Sequence, residues 1–365
     1  MSSNAAFLYG DDYMRYQFGP RHPFQPVREK LTLDTVASLG VFDKCGARVI
    51  DPTPVDMRRL NAVHPPEYVR FVERTCAAGG ELDRGDTPAV PGLYEGALSV
   101  VGGTLRGAKG IMEGEFDHAF NPGGGLHHAH PGRASGFCVF HDIAVAVRAL
   151  QEEYGLRRIA VVDIDGHHGD GTQEIFYGER VLTISLHRFG RYFFPGSGST
   201  GEIGEGEGEG CNINVPLPSG TDDELYLKAY RAIAVPALRA YRPQLIIHQF
   251  GADGHYKDPL VGLGLTTRGY EEIARLTHGL AHELCGGKYL VVGGGGYDID
   301  ATRRTWSIMF SILAGANEDV RDMREGLHDH GGPRSGREIE VKVDETIEAL
   351  GKNSLPLLEE MVRFA

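Results

Sequence analysis

Cysteine is scarce in this sequence, and its few thiols are scattered. Only five cysteines occur among the 365 residues, and no two of them form a Cys-x-x-Cys pair. An odd number of dispersed cysteines excludes a disulfide scaffold and a thiolate zinc site. We therefore expect reduced thiols and a cytoplasmic protein.

Long apolar runs are missing as well. No stretch of 18 apolar residues occurs, so the sequence predicts no membrane-spanning helix and no membrane partner. Residues 1–12 lack a basic start followed by an apolar run, and for that reason we expect no secretory signal.

Basic residues are fewer than acidic residues. The chain has 37 Lys and Arg residues against 50 Asp and Glu residues, a formal net charge of −13 at pH 7. A nucleic-acid-binding protein needs a basic face to displace the counterions of the phosphates, so we expect no nucleic-acid partner. Glycine, by contrast, is abundant: its 51 residues are about twice the usual share. This excess predicts many tight turns and close approaches between backbone segments.

Short runs of β-branched residues alternate with longer amphipathic segments. This alternation predicts an α/β fold with a central, mainly parallel sheet and helices on both faces. The predicted strands are residues 6–9, 47–50, 118–120, 158–163, 181–185, 212–217, 244–250 and 288–292. The predicted helices include residues 27–39, 66–76, 94–112, 138–154, 222–241, 267–284 and 301–313.

The domain organisation follows from the composition along the chain. No break that resembles a linker precedes residue 315, so we expect one domain over residues 1–315. A C-terminal helical appendage over residues 316–365, with two short helical patterns, should pack on the same domain. Residues 196–210 (GSGSTGEIGEGEGEG) are predicted to form a solvated loop. Thr221 and Glu224 have the spacing of a capping box at the start of a helix.

Histidines are concentrated in one region, since seven of the 16 lie between positions 127 and 187. There, an apolar run ends in residues 163–167 (DIDGH). Side chains alternate between two faces in an extended chain, so Asp163, Asp165 and His167 point the same way. Two carboxylates converging with an imidazole would be poorly solvated unless a cation joined them. The pattern predicts a divalent metal site at a strand end, with helix caps and turn residues as the alternative.

Two further segments bring candidate residues to strand ends. Residues 245–253 run from a buried strand straight into Asp253, and residues 290–297 end in four glycines followed by Tyr297. Each signal is weak alone, because Asp253 could cap the next helix and a glycine-rich turn often binds phosphate. The G-x-G-x-x-G fingerprint of a dinucleotide site is absent from this run.

A glycine-rich loop, residues 121–128 (NPGGGLHH), could aim both His127 and His128 at one site. Each ring would need an acceptor on its far nitrogen to fix the tautomer. Asp163 and Asp170 are the natural partners. The nearby His130 and His187 are expected to have no chemical role.

In this order, these motifs resemble the histone deacetylase superfamily, and in detail its bacterial acetoin-utilisation (AcuC) branch. The matching motifs are residues 21–28 (RHPFQPVR), 123–128 (GGGLHH), 134–138 (ASGFC), 163–170 (DIDGHHGD), 193–196 (FFPG), 251–253 (GAD), 258–259 (DP) and 293–297 (GGGGY). Residues 255–259 (HYKDP) and 285–287 (CGG) favour the AcuC branch over the eukaryotic enzymes.

The resemblance implies a single α/β domain with a metal centre. Asp165, His167 and Asp253 match the family's ligands for Zn²⁺, with Fe²⁺ as the alternative metal. The family's catalytic residues correspond to His127, His128, Tyr297, Asp163 and Asp170. A monovalent-cation site for K⁺ or Na⁺ would be formed, partly through backbone carbonyls, by Asp163, Asp165, His167, Ser185 and Leu186.

The resemblance also implies a route for substrate and product. The acyl-lysine channel, its rim and its acetate exit correspond to Phe137 and Phe194 as walls, Gly136 and Leu260 nearby, Asp86 at the rim and Arg28 in the internal cavity. Some of these residues have structural alternatives. The two phenylalanines could be plain core, Asp86 could be a turn residue, and Arg28 could form a structural ion pair.

The activity implied by the resemblance is a zinc-dependent hydrolase that removes acetyl groups from Nε-acetyl-lysine of proteins and releases acetate. Acetyl-CoA synthetase is the candidate substrate. A metal-bound water would attack the amide carbonyl, with His128 as general base and then acid and Tyr297 as donor to the oxyanion. His127 would be mainly an electrostatic partner, although the two histidines could exchange roles.

Three other functions remain open at this point: hydrolysis of acetylpolyamines or other small amines, a non-catalytic acyl-lysine reader, and an arginase-like ureohydrolase. The last would need more metal-bridging aspartates than the sequence offers. Nothing in the sequence specifies the acyl-chain preference or the oligomeric state.

Overall fold

An eight-stranded parallel sheet forms the centre of the computed structural model, which describes residues 4–83, 85–316 and 318–363. The strands in chain order are β1 (Ala5–Leu8), β2 (Arg48–Ile50), β3 (Gly80–Glu81), β4 (Pro88–Ala89), β5 (His118–Asn121), β6 (Ile159–Asp163), β7 (Leu182–Arg188), β8 (Asn212–Leu217), β9 (Leu245–Gln249) and β10 (Tyr289–Val292). The sheet order is β2-β1-β5-β10-β9-β6-β7-β8, with every neighbouring pair parallel, while β3 and β4 form a separate antiparallel pair. The predicted α/β fold is confirmed.

Helices surround the sheet on both faces. They are α1 (Val27–Ser38), α2 (Val41–Cys45), α3 (Met57–Leu60), α4 (Pro66–Ala78), α5 (Leu93–Met112), α6 (Asp142–Tyr154), α7 (Asp170–Phe176), α8 (Asp223–Ala229), α9 (Val235–Tyr241), α10 (Thr267–Cys285), α11 (Ile299–Leu313), α12 (Glu318–Glu325) and α13 (Arg337–Arg363). Every residue of β6, β9 and β10 is buried, as expected of strands whose two faces are both covered. No helix in the described ranges is both long enough and apolar enough to cross a membrane.

The start of α6 differs from the prediction. The helix begins at Asp142 rather than at residue 138, because the His141 ring caps it: Nδ1 accepts the amide hydrogen of Ala144 at 3.2 Å. Residues 138–141 therefore stay in the loop that approaches the carboxyl edge of the sheet, where a helix would have carried them away from it.

The predicted capping box at Thr221 is wrong. Asp222 caps α8, with its Oδ1 accepting the amide of Leu225 at 3.1 Å, while the Thr221 hydroxyl donates to the carbonyl of Pro218. The predicted helix over 222–241 is also interrupted by a π-helical turn, Tyr230–Ala234. Pro236 follows this turn and has no amide hydrogen to continue a regular ladder.

The C-terminal segment packs on the main sheet. Of its two helices α13 is not short, since it spans 27 residues, and its Val343, Leu350 and Leu358 are buried in the main core. The Thr346 hydroxyl donates to the carbonyl of Pro216 in β8 at 3.2 Å. A division at residue 315 stays a prediction, and the outermost predicted limits, 1 and 365, lie outside the described residues.

The glycine-rich loop over 196–210 is more ordered than predicted. It contains a 3-10 turn, Gly206–Gly208, and the Glu202 carboxylate accepts the amides of Gly198 and Ser199 at 2.8–3.0 Å. Gly198 is buried against the ring of His187. The loop is thus anchored at one end beside β7 and solvated only in part.

Candidate active site

The predicted site residues meet at the carboxyl edge of the central sheet. The loop after β5 carries His127 and His128, Asp163 ends β6, and the segment after β10 leads to Tyr297. Parallel strands bring their carboxyl ends to one edge, which is why segments distant in sequence converge there.

Asp165, His167 and Asp253 form a buried cluster. His167 Nδ1 lies 2.9 Å from Asp253 Oδ2 and 3.3 Å from Asp165 Oδ1. The potential ligand atoms of the three side chains all lie within 4.8 Å of one another. The three groups that the family resemblance implies as one metal site are therefore brought together. Asp163, which the alternation of side chains placed with Asp165 and His167, instead pairs with His127.

The second oxygen of each carboxylate in this cluster is fixed by the protein. Asp165 Oδ2 accepts hydrogen bonds from the Gln249 side chain and from the amide of Gly295, both at 2.7 Å. Asp253 Oδ1 accepts the amide of Gly166 at 2.7 Å. Each carboxylate thus has one oxygen held by donors and one turned towards the imidazole.

The electrostatics of the cluster favour a bound cation. Burial and the nearby Asp165 charge raise the pKa of Asp253 to about 7. Burial alone would lower the pKa of His167, but hydrogen bonds to Asp165 and Asp253 outweigh it and raise that pKa to about 10. The proton on His167 thus supplies positive charge beside the two carboxylates. Two carboxylate oxygens and one imidazole nitrogen are a donor set that suits Zn²⁺ or Fe²⁺.

Each of the adjacent histidines has its own carboxylate, as predicted. His127 Nδ1 lies 2.6 Å from Asp163 Oδ2, and His128 Nδ1 lies 2.7 Å from Asp170 Oδ1. The far nitrogen of His127 is directed to the cluster, with Nε2 3.7 Å from Asp165 Oδ1. The two carboxylates orient the rings and fix which nitrogen carries the proton.

These two histidines have opposite electrostatic environments. Burial disfavours the charged form of His127, but Asp163 and Asp165 outweigh it and raise the pKa to about 9. Burial and the positive charge of His127 lower the pKa of His128 to about 4. Of the two rings, His128 is therefore the one that loses its proton more readily.

Aromatic rings enclose the approach to these histidines. The Phe194 ring lies 4.9 Å from the His128 ring, and the Phe137 ring lies 5.8 Å from that of Tyr297 (centroid distances). Phe193 stacks on His167 at 5.1 Å, with 8° between the ring planes. Because Phe194 is 40% exposed, it is not plain core.

Gly136 allows a close approach between its backbone and the rings of His128 and Phe194. A Cβ at this position would lie 2.6 Å from His128 Cδ2 and 3.0 Å from Phe194 Cε1, and its φ of +52° disfavours other residues. The backbone of this loop thus forms part of the channel wall.

Asp258 positions the Tyr297 segment. Its Oδ2 accepts the amide of Tyr297 at 2.8 Å, and its Oδ1 accepts the amide of Leu260 at 2.9 Å. Leu260 is 39% exposed, and its place beside the acyl-lysine channel stays a prediction. Burial and the charges of Asp253 and Asp165 raise the pKa of Tyr297 well above its usual value, so the phenol keeps its proton.

Asp86 lies on the wall of an open groove of about 930 Å³ that Phe194 also lines. It also lies in the turn that Asp83 organises by accepting the amides of Gly85, Asp86 and Thr87 at 3.0–3.1 Å, so its rim role stays a prediction beside the turn alternative. Burial and the neighbouring Asp83 raise the pKa of Asp86 to about 6. Its Oδ1 accepts the Thr87 hydroxyl at 3.0 Å beside the groove.

Arg28 is buried behind the site. Its Nη1 donates to the carbonyl of Gly296 at 2.8 Å, and its guanidinium lies over the rings of Phe24 and Trp306. Burial raises the pKa of the adjacent Glu29 to about 8. The structural ion pair and the exit role considered for Arg28 from the sequence both stay predictions.

The described structure thus carries an α/β sheet with a buried carboxylate–imidazole cluster, two His–Asp pairs and an aromatic channel. Residues 22–313 match a family model described as Histone deacetylase domain. The chain belongs to the histone deacetylase family. It is 42% identical over 322 residues to acetoin utilization protein AcuC of Bacillus subtilis, covering 86% of this chain and 82% of that protein.

Two further matches support the assignment of the chain to the histone deacetylase family. A probable deacetylase of Archaeoglobus fulgidus is 37% identical over 322 residues, covering 87% of this chain and 88% of that protein. The crystal structure of the HDA15 HD domain superposes over both whole chains with a TM-score of 0.82 at 28% identity. The predicted AcuC-like branch is confirmed, and the chain is a hydrolase of a metal-dependent deacetylase family.

Of the predicted monovalent-cation residues, Asp165 and His167 belong to the cluster, and the other three lie in the neighbouring strands β6 and β7. Asp163 at the end of β6 pairs in register with Ser185 in β7, and Leu186 follows it. The Leu186 carbonyl accepts the hydroxyl of Tyr226 at 3.1 Å. Binding of K⁺ or Na⁺ there stays a prediction.

Sequence reasoning missed several residues of this site. Gln249 stands in register with Asp163, so its position in β9 was a usable signal. Phe193 and Asp258 lay inside quoted motifs without a role. His130, expected to be inert, has its Nε2 3.3 Å from Asp170 and its Nδ1 2.6 Å from Glu174.

Proposed function

We propose that this chain removes the acetyl group from Nε-acetyl-lysine side chains of proteins and releases acetate. The observation that carries the proposal is the His128–Asp170 pair beside the cluster of Asp165, His167 and Asp253, at the end of an aromatic channel. Such a channel suits a long, unbranched acyl-lysine side chain.

Asp165, His167 and Asp253 would hold a divalent ion, Zn²⁺ or alternatively Fe²⁺. When bound, it would supply Lewis-acid polarisation of the acetyl carbonyl and acidify a water molecule. K⁺ or Na⁺ beside Asp163 and Ser185 would fix the strand ends that present these ligands.

His128 is the proposed general base. Its Nδ1 faces Asp170, so its other nitrogen takes the proton from the attacking water and later gives it to the lysine amine. His127, protonated beside Asp163, stabilises negative charge that develops nearby. Because the two pKa shifts are opposite, we assign the general-base role to His128 and the electrostatic role to His127.

Tyr297 donates its phenolic hydrogen to the oxyanion that forms on the acetyl carbonyl. Asp258 positions it from the backbone side. Arg28, whose guanidinium donates to the Gly296 carbonyl, would attract the acetate product as it leaves.

A protein substrate is favoured by the rim. The groove of about 930 Å³ beside Asp86 and Phe194 is open and has room for a polypeptide backbone on either side of the acyl-lysine. Asp86 would accept backbone amides of that polypeptide. An acetyl-CoA synthetase is the substrate that we propose, in the cytoplasm.

A substrate panel tests this function. The metal-loaded protein is assayed with an acetyl-lysine peptide from an acetyl-CoA synthetase, with free acetyl-lysine and with acetylputrescine. We expect the highest kcat/KM for the peptide. Higher kcat/KM for acetylputrescine would make the chain a small-amine amidohydrolase, and peptide binding without turnover would make it a reader.

A further inference from the structure

Three histidines converge at a place unrelated to the candidate active site. His118 is the first residue of β5, while His278 and His282 lie one turn apart on α10. His278 Nε2 lies 3.0 Å from His118 Nε2 and 3.1 Å from His282 Nε2. The potential ligand atoms of all three lie within 4.8 Å of one another.

Hydrogen bonding alone does not account for this arrangement. A neutral imidazole nitrogen either donates one hydrogen or offers one lone pair. His278 Nε2 faces two other ring nitrogens at once, and it can satisfy only one of them well. A metal ion among the rings would accept a lone pair from each.

The spacing also agrees with a tetrahedral ion. Zn–N bonds of about 2.0–2.1 Å at a tetrahedral angle place ligand nitrogens about 3.3–3.4 Å apart. The two observed separations, 3.0 and 3.1 Å, fall slightly below this. A movement of a few tenths of an ångström would admit the ion.

The surroundings leave room for the rings and keep one side open. Gly287 has φ +84°, and a Cβ there would lie 3.0 Å from His282 Cε1 and 3.5 Å from His118 Cε1. His118 is buried, His278 half-buried and His282 exposed, so a fourth coordination position would face solvent. The cation nearest in sequence, Arg275, is engaged by Glu271, whose Oε1 lies 2.6 Å from its Nη2.

This cluster lies at the opposite edge of the sheet from the candidate active site. His118 begins β5, and the loop with His127 and His128 leaves the opposite, carboxyl end of the same strand. Tyr289, the first residue of β10, pairs with His118 in register. The cluster thus lies at the amino edge of the sheet.

We propose that His118, His278 and His282 bind a second divalent transition-metal ion, Zn²⁺ by the donor set, with solvent as the fourth ligand. Three neutral imidazoles and an open position match such an ion better than Ca²⁺ or Mg²⁺, which prefer oxygen. The ion ties α10 to the amino end of β5. This inference does not depend on the proposed function.

Zinc stoichiometry tests the proposal. The chelator-treated full chain is titrated with Zn²⁺, and bound ions are counted by native mass spectrometry. We expect two equivalents for the unaltered protein and one for the His278→Gln/His282→Gln variant. His330→Gln removes an exposed histidine outside the cluster and should keep two equivalents.

A second experiment shows which of the two sites holds the ion that remains. Asp253→Asn should keep the Zn²⁺ of the histidine cluster, and this ion should vanish when His278→Gln and His282→Gln are added. The retained ion should raise the Tm of Asp253→Asn by at least about 2 °C. A single equivalent in the unaltered protein, or two in the His278→Gln/His282→Gln variant, would overturn the proposal.

Discussion

Adjacent, chemically identical residues acquire different properties in this site. His127 and His128 follow one another, yet Asp163 and Asp165 raise the pKa of the first to about 9, and burial lowers that of the second to about 4. The sequence predicted both pairings, because two histidines in a glycine-rich loop needed two acceptors. It could not predict the direction of each shift, which depends on three-dimensional burial.

Removal of the Tyr297 hydroxyl should lower the catalytic rate without changing the fold. Tyr297→Phe is expected to keep the fold and the metal but to lower kcat by about 10²–10³, the usual loss for one oxyanion donor. Discontinuous assays with an acetyl-lysine peptide measure kcat. Tyr177→Phe, at a partly exposed tyrosine after α7, should leave kcat unchanged. Near-normal kcat for Tyr297→Phe would refute its role.

Gly136 offers a steric test. In Gly136→Ala, the new methyl group would lie 2.6 Å from His128 Cδ2, so we expect the ring to shift and kcat/KM to fall at least about tenfold. Gly132→Ala, in the same loop, meets nothing within 4 Å and is the matched control. Equal activity of the two variants would show that His128 tolerates displacement.

Among the elements, strand positions followed from the sequence better than helix ends. Apolar β-branched runs gave every strand of the sheet to within three residues at either end. The start of α6 and the cap of α8 were missed because a histidine ring caps the first, and because Asp222 rather than Thr221 faces the open amides of the second. These choices depend on tertiary contacts.

A cap variant tests the second correction. Asp222→Ala removes the acceptor of the Leu225 amide and also that of the Ser335 amide, so it should lower the free energy of unfolding by about 1–2 kcal/mol. Urea unfolding measures the change. Glu224→Ala, at the exposed residue of the rejected capping box, should cost less than about 0.5 kcal/mol. Similar losses for both would restore the capping box.

At the scale of the whole molecule, contacts between distant segments were out of reach of the sequence. The sequence predicted that the C-terminal segment packs on the same domain, but not the length of α13 or the burial of its Leu350 and Leu358 in the main core. The cluster of His118, His278 and His282 joins residues 160 positions apart, a relation that no local motif encodes.

Acid sensitivity should arise where α10 meets the C-terminal segment. Burial opposes ionisation of Glu271, but His328, Arg324 and Arg275 outweigh it and lower the pKa from 4.5 to about 2. Because the folded pKa lies below the unfolded one, this stabilisation is present above pH 4.5 and is lost as the pH falls towards 2.

Glu271→Gln should therefore reduce the Tm at pH 7 and flatten its fall between pH 4.5 and 2, in thermal melts across that range. Glu272→Gln is the matched control, since Glu272 is in an exposed pair with Arg231. A Glu271→Gln profile parallel to that of the unaltered protein would contradict this account.

The central claim is that Asp165, His167 and Asp253 hold a metal ion on which deacetylation depends. Turnover of an acetyl-lysine peptide by unaltered protein and by Asp253→Ala, each stripped with a chelator and reloaded with Zn²⁺, measures this directly. We predict that stripping abolishes turnover, that Zn²⁺ restores it in the unaltered protein alone, and that Asp253→Ala binds one ion fewer. Undiminished turnover by the stripped protein, or by Asp253→Ala, would contradict the claim.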